Sequence, residues 1–281
     1  MKNSHYWSKR MERLMEAEMH RADTYGAEVR KAYRQAAKAM REEVAGWYLR
    51  FAGENGMTIQ TAEKLLRKGE LEEFHWTVEE YIRRGQENAL TGQWKKQLEN
   101  ASARVHVSRL EALRLQCYQH AYEATGNLFD GLRALLQDIY TDAYYRNCYE
   151  IQRGRGKGGP FSRLNGHVVE KVLSKPWAVD GSDFSSRIWR DKDKLLSELN
   201  TGLTQALIRG DSPVKLARQL ADRMGVAERR AMTLVQTESA HFANQAQTDS
   251  FRELDVEEYE VVASLDSVTC SICGSMDGRR F

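Results

Sequence analysis

The sequence predicts a mainly α-helical protein that ends in a small α+β module, and three observations carry that expectation. All three prolines, Pro160, Pro176 and Pro213, fall in the second half, so nothing of that kind interrupts helix over the first 159 residues. From Trp7 onward, apolar and small residues recur at steps of three and four, the period of an amphipathic helix. After Asp255 that period gives way to simple alternation, the pattern of a half-buried strand.

The first helix is carried by Met11, Leu14, Ala22, Tyr25, Val29, Ala32, Ala36, Met40, Val44, Tyr48 and Phe51. Gly26 and Gly46 weigh against its continuity, because a helix-interior glycine costs about 1 kcal/mol relative to alanine. Gly53-Glu54-Asn55-Gly56 reads as a break. A short helix with Ala62, Leu65 and Leu66 follows, capped by Thr58, and another covers Leu71 to Arg84. Two further helices are expected from Ser102 to Thr125 and from Leu128 to Tyr149.

Composition changes at Arg153-Gly154-Arg155-Gly156-Lys157-Gly158-Gly159-Pro160, where four glycines and a proline within eight residues argue against regular structure. Ile151 to Val169 holds three Arg, one Lys and no acid, so the segment is read as a basic hinge. A helix from Ser185 to Arg209 then aligns Ile188, Leu195, Leu199, Leu203 and Leu207 along one face. Gly210-Asp211-Ser212-Pro213 opens another, with Ser212 as cap and Pro213 at the first helical position; Leu216, Leu220 and Met224 line it, and Gly225 ends it. A last helix runs from Ala227 to Leu254. Tyr259, Val261, Ala263 and Leu265 then alternate with Glu258, Glu260, Val262 and Ser264, and Asp277-Gly278 is a favoured hairpin pair before only Arg279, Arg280 and Phe281. The resulting division is an N-terminal helical arm (1–150), a basic Gly-rich hinge (151–182) and a C-terminal module (183–281) whose hairpin looks cut short.

Composition narrows the function classes. With 42 Lys+Arg against 40 Asp+Glu the chain is near neutral, unlike a strongly basic nucleic-acid binder, and 6 Trp, 12 Tyr and 8 Phe suffice for a core. No apolar run approaches the ~18 residues of a spanning helix, and the N-terminus has no apolar signal region, so no membrane association and a cytoplasmic origin are expected. Four cysteines are too sparse for a disulfide scaffold.

Cys270 and Cys273 have the two-residue spacing that places two thiolates on one tetrahedral Zn²⁺, which makes half a site. Completion would come from residues beyond Phe281, or from His241 and Glu238, which share a helix face at i, i+3. Glu238, His241, Cys270 and Cys273 together would be the core of a metal-dependent hydrolase; the plainer reading makes Glu238 a buried clamp. Cys117, His120 and Cys148 are a weaker metal set, with core filling as their plainer use. Arg153, Arg155, Lys157 and Arg163 could contact duplex-DNA phosphates, or simply be a solvated hinge. No phosphate loop, nucleophile elbow or His-Glu-x-x-His motif is present.

Trp177, Phe184-Ser185-Ser186-Arg187-Ile188-Trp189, Leu195, Gly210-Asp211-Ser212, Leu216-Ala217, Leu234-Val235-Gln236-Thr237-Glu238, Ser264-Leu265-Asp266-Ser267-Val268-Thr269-Cys270, Cys273 and Asp277-Gly278 occur in order. In that order they resemble the tailed-phage minor head proteins, the phage Mu F-like head morphogenesis family. The likeness is strongest from Trp177 to Phe281, and many relatives carry Arg where this chain has Gln236. It implies a virion-associated minor capsid protein, recruited through the portal protein into the assembling prohead from the host cytoplasm and influencing packaging or exit of double-stranded DNA. Major capsid or scaffolding protein would be further partners. The resemblance implies no enzymatic activity, and gives Trp177, Arg187, Thr237, Glu238, Asp266, Asp277 and Gly278 structural roles. It also implies that a Cys/His cluster with Cys270 and Cys273 would be completed by residues after Phe281.

Overall fold

The computed structural model describes residues 3–54, 98–209, 211–263, 269 and 271–281; the side chains of residues 50, 51, 53, 54, 98–112, 207, 208 and 273 lie outside that description. The helices expected between Thr58 and Arg84 therefore fall outside the described residues. Among the described residues six helices follow one another: α1 (Ser4–Glu54), α2 (Leu98–Arg155), α3 (Gly166–Leu173), α4 (Phe184–Ile208), α5 (Pro213–Glu253) and α6 (Ser271–Met276). The fold is mainly helical, as the periodicity predicts.

Two expected breaks are absent, for one reason. α2 runs unbroken through Gly126, where two helices were expected, and α5 runs unbroken through Gly225, where one was expected to end. In α2 the buried positions Cys117, Ala121, Ala124, Leu128, Leu132, Leu136 and Ile139 stay in phase across the glycine. In α5 the positions Leu216, Leu220, Met224, Ala227, Ala231 and Leu234 do the same. A continuous buried stripe outweighs the ~1 kcal/mol that a glycine costs.

The chain forms two compact units, and α1, α2 and α5 each contribute a segment to both. The first unit comprises Met1–Ala27, Asp130–Phe184 and Thr233–Phe281. Its buried side chains include Ala22, Leu132, Leu136, Ile139, Cys148, Val169, Leu173, Val235, Phe242 and Ala246. Polar contacts tie its helices: Arg10 to Glu150, Arg21 Nη2 to Asp142 Oδ2 (2.8 Å), Gln236 Nε2 to Asp23 Oδ1 (2.6 Å) and Tyr140 Oη to Asp249 Oδ2 (2.9 Å).

The second unit comprises Glu28–Phe129 and Ser185–Met232. Val29, Tyr33, Met40, Val44, Trp47, Tyr48, Leu113, Cys117, Leu195, Leu199, Leu203, Leu216 and Leu220 are buried in it. The start of α5 is built as its sequence predicts: Ser212 Oγ accepts the Lys215 N–H at 3.3 Å. Buried Asp211 adds what the sequence did not indicate, accepting from Arg209 Nη2 (2.9 Å), Lys215 Nζ (2.6 Å) and Gln219 Nε2 (3.4 Å). Its carbonyl also accepts Tyr48 Oη–H at 2.6 Å. Burial raises the Asp211 pKa, but Lys215 and Arg209 more than offset that and hold it below the usual carboxylate value.

The Gly-rich segment is more ordered than its composition suggests. α2 continues through Arg155 and stops at Gly156, whose φ of +66° is the left-handed conformation that suits glycine. The Gly156 N–H bonds to Arg153 O (3.2 Å) and the Lys157 N–H to Gln152 O (3.2 Å), the paired closure of a Schellman end. Gly154 is a packing glycine, since a Cβ there would lie 2.1 Å from Trp7 Cη2. Within the expected hinge, α3 forms behind Asn165, whose side chain caps the Val168 N–H, and buries Val169 and Leu173.

The C-terminal strand is not observed among the described residues, and Ser264 and Leu265 of the expected strand lie outside them. Among the described residues the only β feature is one antiparallel bridge, Glu260 to Arg280, with Tyr259 and Phe281 exchanging N–H···O bonds of 3.0 and 2.9 Å. Nor does Asp277-Gly278 join two adjacent strands, because α6 lies inside the connection. A pairing this short has too few ladder bonds to propagate as a strand.

Candidate functional site

Three residues singled out in the sequence come together in the first unit. α5 places Glu238 and His241 one turn apart, and the segment after α3 brings Trp177 onto both. Trp177 Nε1–H donates to Glu238 Oε2 at 2.8 Å. The indole lies flat on the His241 ring, with centroids 4.1 Å apart and planes 9° from parallel. Phe242, itself buried, meets the imidazole in an edge-on arrangement at 4.9 Å. Glu238 is 0% exposed, so its carboxylate is a fixed acceptor inside the fold rather than a group open to solvent.

This arrangement is a latch. The loop between α3 and α4 is pinned to α5 by an indole–carboxyl hydrogen bond and a ring stack. Beyond the pin the chain turns at Ala178–Gly181, closed by the Gly181 N–H to Ala178 O (2.9 Å), with Gly181 at φ +68°. That turn carries Val179 into solvent. Thr237 lies on the exposed side of α5, and Arg187 is half-buried on α4.

A second set lies at the C-terminus. Asp277 Oδ1 accepts the Ala263 N–H at 2.9 Å, and the Gly278 N–H donates to Val261 O at 2.8 Å. Gly278 has φ +72°, and the turn closes through the Arg279 N–H to Met276 O (3.1 Å). Asp277 and Gly278 thus hold the two short segments in register. Asp266 and Cys270 lie outside the described residues; Cys273 is on α6, its side chain also outside the description.

The zinc expectation gets no support from the geometry around Glu238 and His241, which are engaged by Trp177. Among the described residues no three His, Cys, Asp or Glu side chains gather where a metal ion could sit. Cys117 and Cys148 are free thiols in the core, and burial pushes them up to about 12 and about 11. They are fillers of apolar faces.

Of the four basic residues read as a DNA contact, all are exposed, but they are not equivalent. Arg155 donates to the carbonyls of Leu254 (2.6 Å) and Asp255 (3.2 Å), which closes the end of α5. Asp255 there adopts φ 46°, a left-handed helix stop made by a non-glycine residue. Arg153 stands 3.7 Å from Glu150. Lys157 and Arg163 point to solvent.

One cluster escaped the sequence reading. Glu18 on α1 is 1% exposed, and neither carboxyl oxygen receives a hydrogen bond among the described residues. Arg21 Nη1 stands off at 3.7 Å, while Asp142 takes Arg21 Nη2 (2.8 Å) and Arg146 Nε (2.6 Å). Burial pushes the Glu18 carboxyl up to about 7; Arg21 opposes the shift and Asp142 adds to it. Glu18 sits four residues before Ala22 on the buried stripe, the one signal that could have marked it as a buried acid.

With this geometry in place, comparison with known proteins gives one match. Residues 197–281 match the family model described as Phage Mu protein F like protein. Neither the curated proteins nor the solved structures contain a match. The chain therefore carries a phage Mu F-like segment over 197–281, which covers the expected motifs from Gly210 onward, while Trp177, Phe184–Trp189 and Leu195 lie before it. That segment contains Glu238, His241, Asp277 and Gly278.

Proposed function

We propose that this protein is a phage minor head protein that associates with the portal during prohead assembly and influences the packaging or exit of double-stranded DNA. The observation that carries the proposal is the Mu F-like match over residues 197–281. The long helices are in keeping with it: extended amphipathic surfaces suit partner proteins better than small substrates. No described helix is long and apolar enough to cross a membrane. On this reading the protein resides in the virion after assembly in the host cytoplasm, with major capsid or scaffolding protein as further partners.

The role we propose is non-catalytic. Glu238, the residue a hydrolase would need as base, is fully buried and already accepts the Trp177 N–H. A general base must come within hydrogen-bond reach of a substrate proton. The latch therefore acts by holding the α3–α4 connection on α5.

The test is co-expression with the portal protein of the same phage, followed by co-purification at moderate and then high salt, with the mass measured by light scattering. A complex of defined stoichiometry is expected. Failure to associate, with the lone chain retaining duplex DNA, would move the assignment to a DNA-binding protein acting through Lys157, Arg163 and their neighbours.

A further inference from the structure

Over the whole chain cations and acids nearly balance, with 42 Lys+Arg against 40 Asp+Glu. Between Lys157 and Val179 the chain carries Lys157, Arg163, Lys171 and Lys175, with His167 among them, and a single acid, Glu170. Glu170 is already engaged by Arg133 Nη2 (2.7 Å) and Gln137 Nε2 (3.2 Å) on α2. All five basic side chains are exposed, and none makes an ion pair or side-chain hydrogen bond among the described residues. His167 and Lys171 lie at i, i+4 on the outer face of α3, opposite the buried Val169 and Leu173.

The same stretch exposes apolar side chains. Val168 is 44% exposed and shares the outer face of α3 with Lys171, three residues on. Trp177, pinned by Glu238, still leaves 36% of its surface open. Val179 projects completely at the tip of the Ala178–Gly181 turn. Isolated exposed apolar residues are ordinary, but here they interleave with unpaired cations on a segment the latch holds in place.

We propose that residues 157–179 form a docking surface for a partner protein segment in which acidic residues alternate with apolar ones. This rests on the minor-head reading above and gives it an interface. Charge complementarity selects the occupant's acids, and the apolar side chains select a protein over a nucleic acid, since a phosphate backbone offers Val168 and Val179 nothing to bury against.

The experiment uses the full chain and the portal protein of the same phage. Binding is compared for the parent, for Lys157→Gln/Arg163→Gln/Lys171→Gln/Lys175→Gln and for Val168→Ser/Val179→Ser. The cation variant should melt with the parent, because its altered side chains make no ion pair or side-chain hydrogen bond among the described residues; Val168 is partly covered, so the apolar variant is compared with the parent below its own melting transition. Each variant should bind the portal about tenfold more weakly or worse, and the cation variant should lose most of the salt dependence. Undiminished portal binding by both variants would overturn this surface and leave the minor-head reading intact. Loss confined to the cation variant, accompanied by parallel loss of duplex-DNA retention, would overturn it in favour of a nucleic-acid contact. No portal binding by the parent would overturn both.

Discussion

Glu18 is the residue whose charge state the fold controls most visibly. Its carboxyl is raised above the ordinary value near 4.5 to about 7, so the folded chain holds a proton that the unfolded chain has released. Stability from this group is fully present below about pH 4.5, declines as pH rises, and is lost beyond pH 7. The span corresponds to roughly 3 kcal/mol. Glu18→Gln should leave stability at pH 5 nearly unchanged and raise it at pH 8 by up to about that amount, read from denaturant midpoints; equal effects at both pH values would refute the account. The latch makes a second prediction. Glu238→Ala and Trp177→Phe each remove the indole–carboxylate bond and should each cost about 2 kcal/mol. A double-mutant cycle should show strong coupling between them, and additive losses would mean that the bond contributes little. Neither the Glu18 cluster nor the indole bond was legible in the sequence. Their partners lie 124 and 61 positions away, and local periodicity carries no information about such pairings.

Helices in this chain are set by their buried stripes, and glycines act according to what surrounds them. Gly126 has nothing within 4 Å of a would-be Cβ, whereas at Gly154 that atom would fall 2.1 Å from Trp7. Gly126→Ala should therefore stabilise by about 0.5–1 kcal/mol, and Gly154→Ala should destabilise by about 1–3 kcal/mol. Thermal melts of the two variants shifting in the same direction would contradict this. The two glycines look alike in sequence, each inside a Gly-containing run that reads as a break. The same blindness split α2 and α5 into pairs and turned the end of α2 and all of α3 into a hinge. Phase continuity of the apolar residues across Gly126 and Gly225 was present in the sequence; it required following one stripe past the glycine. Gly156 is the exception that behaves as its type suggests, since its φ of +66° does terminate α2.

At the scale of the whole molecule, the Mu F-like match and the proposed portal association lead to a prediction about assembly. Deletion of the protein from the phage should leave head shells that form but package or deliver DNA poorly, measured as infectious titre per particle; unchanged titre would remove the proposed role. Several things followed from the sequence alone: a mainly helical fold, the Ser212 cap, the buried faces of α1, α2, α4 and α5, and the Mu F-like motifs. These depend on local spacing, which repeats every three to four residues and is readable without neighbours. Only the tertiary structure decided that Trp177 belongs to Glu238 and His241, that Arg155 closes the end of α5, and that Glu260 forms a single antiparallel bridge with Arg280. Each of these depends on which distant segments meet, and that is determined by packing of whole helices rather than by the pattern within any one of them.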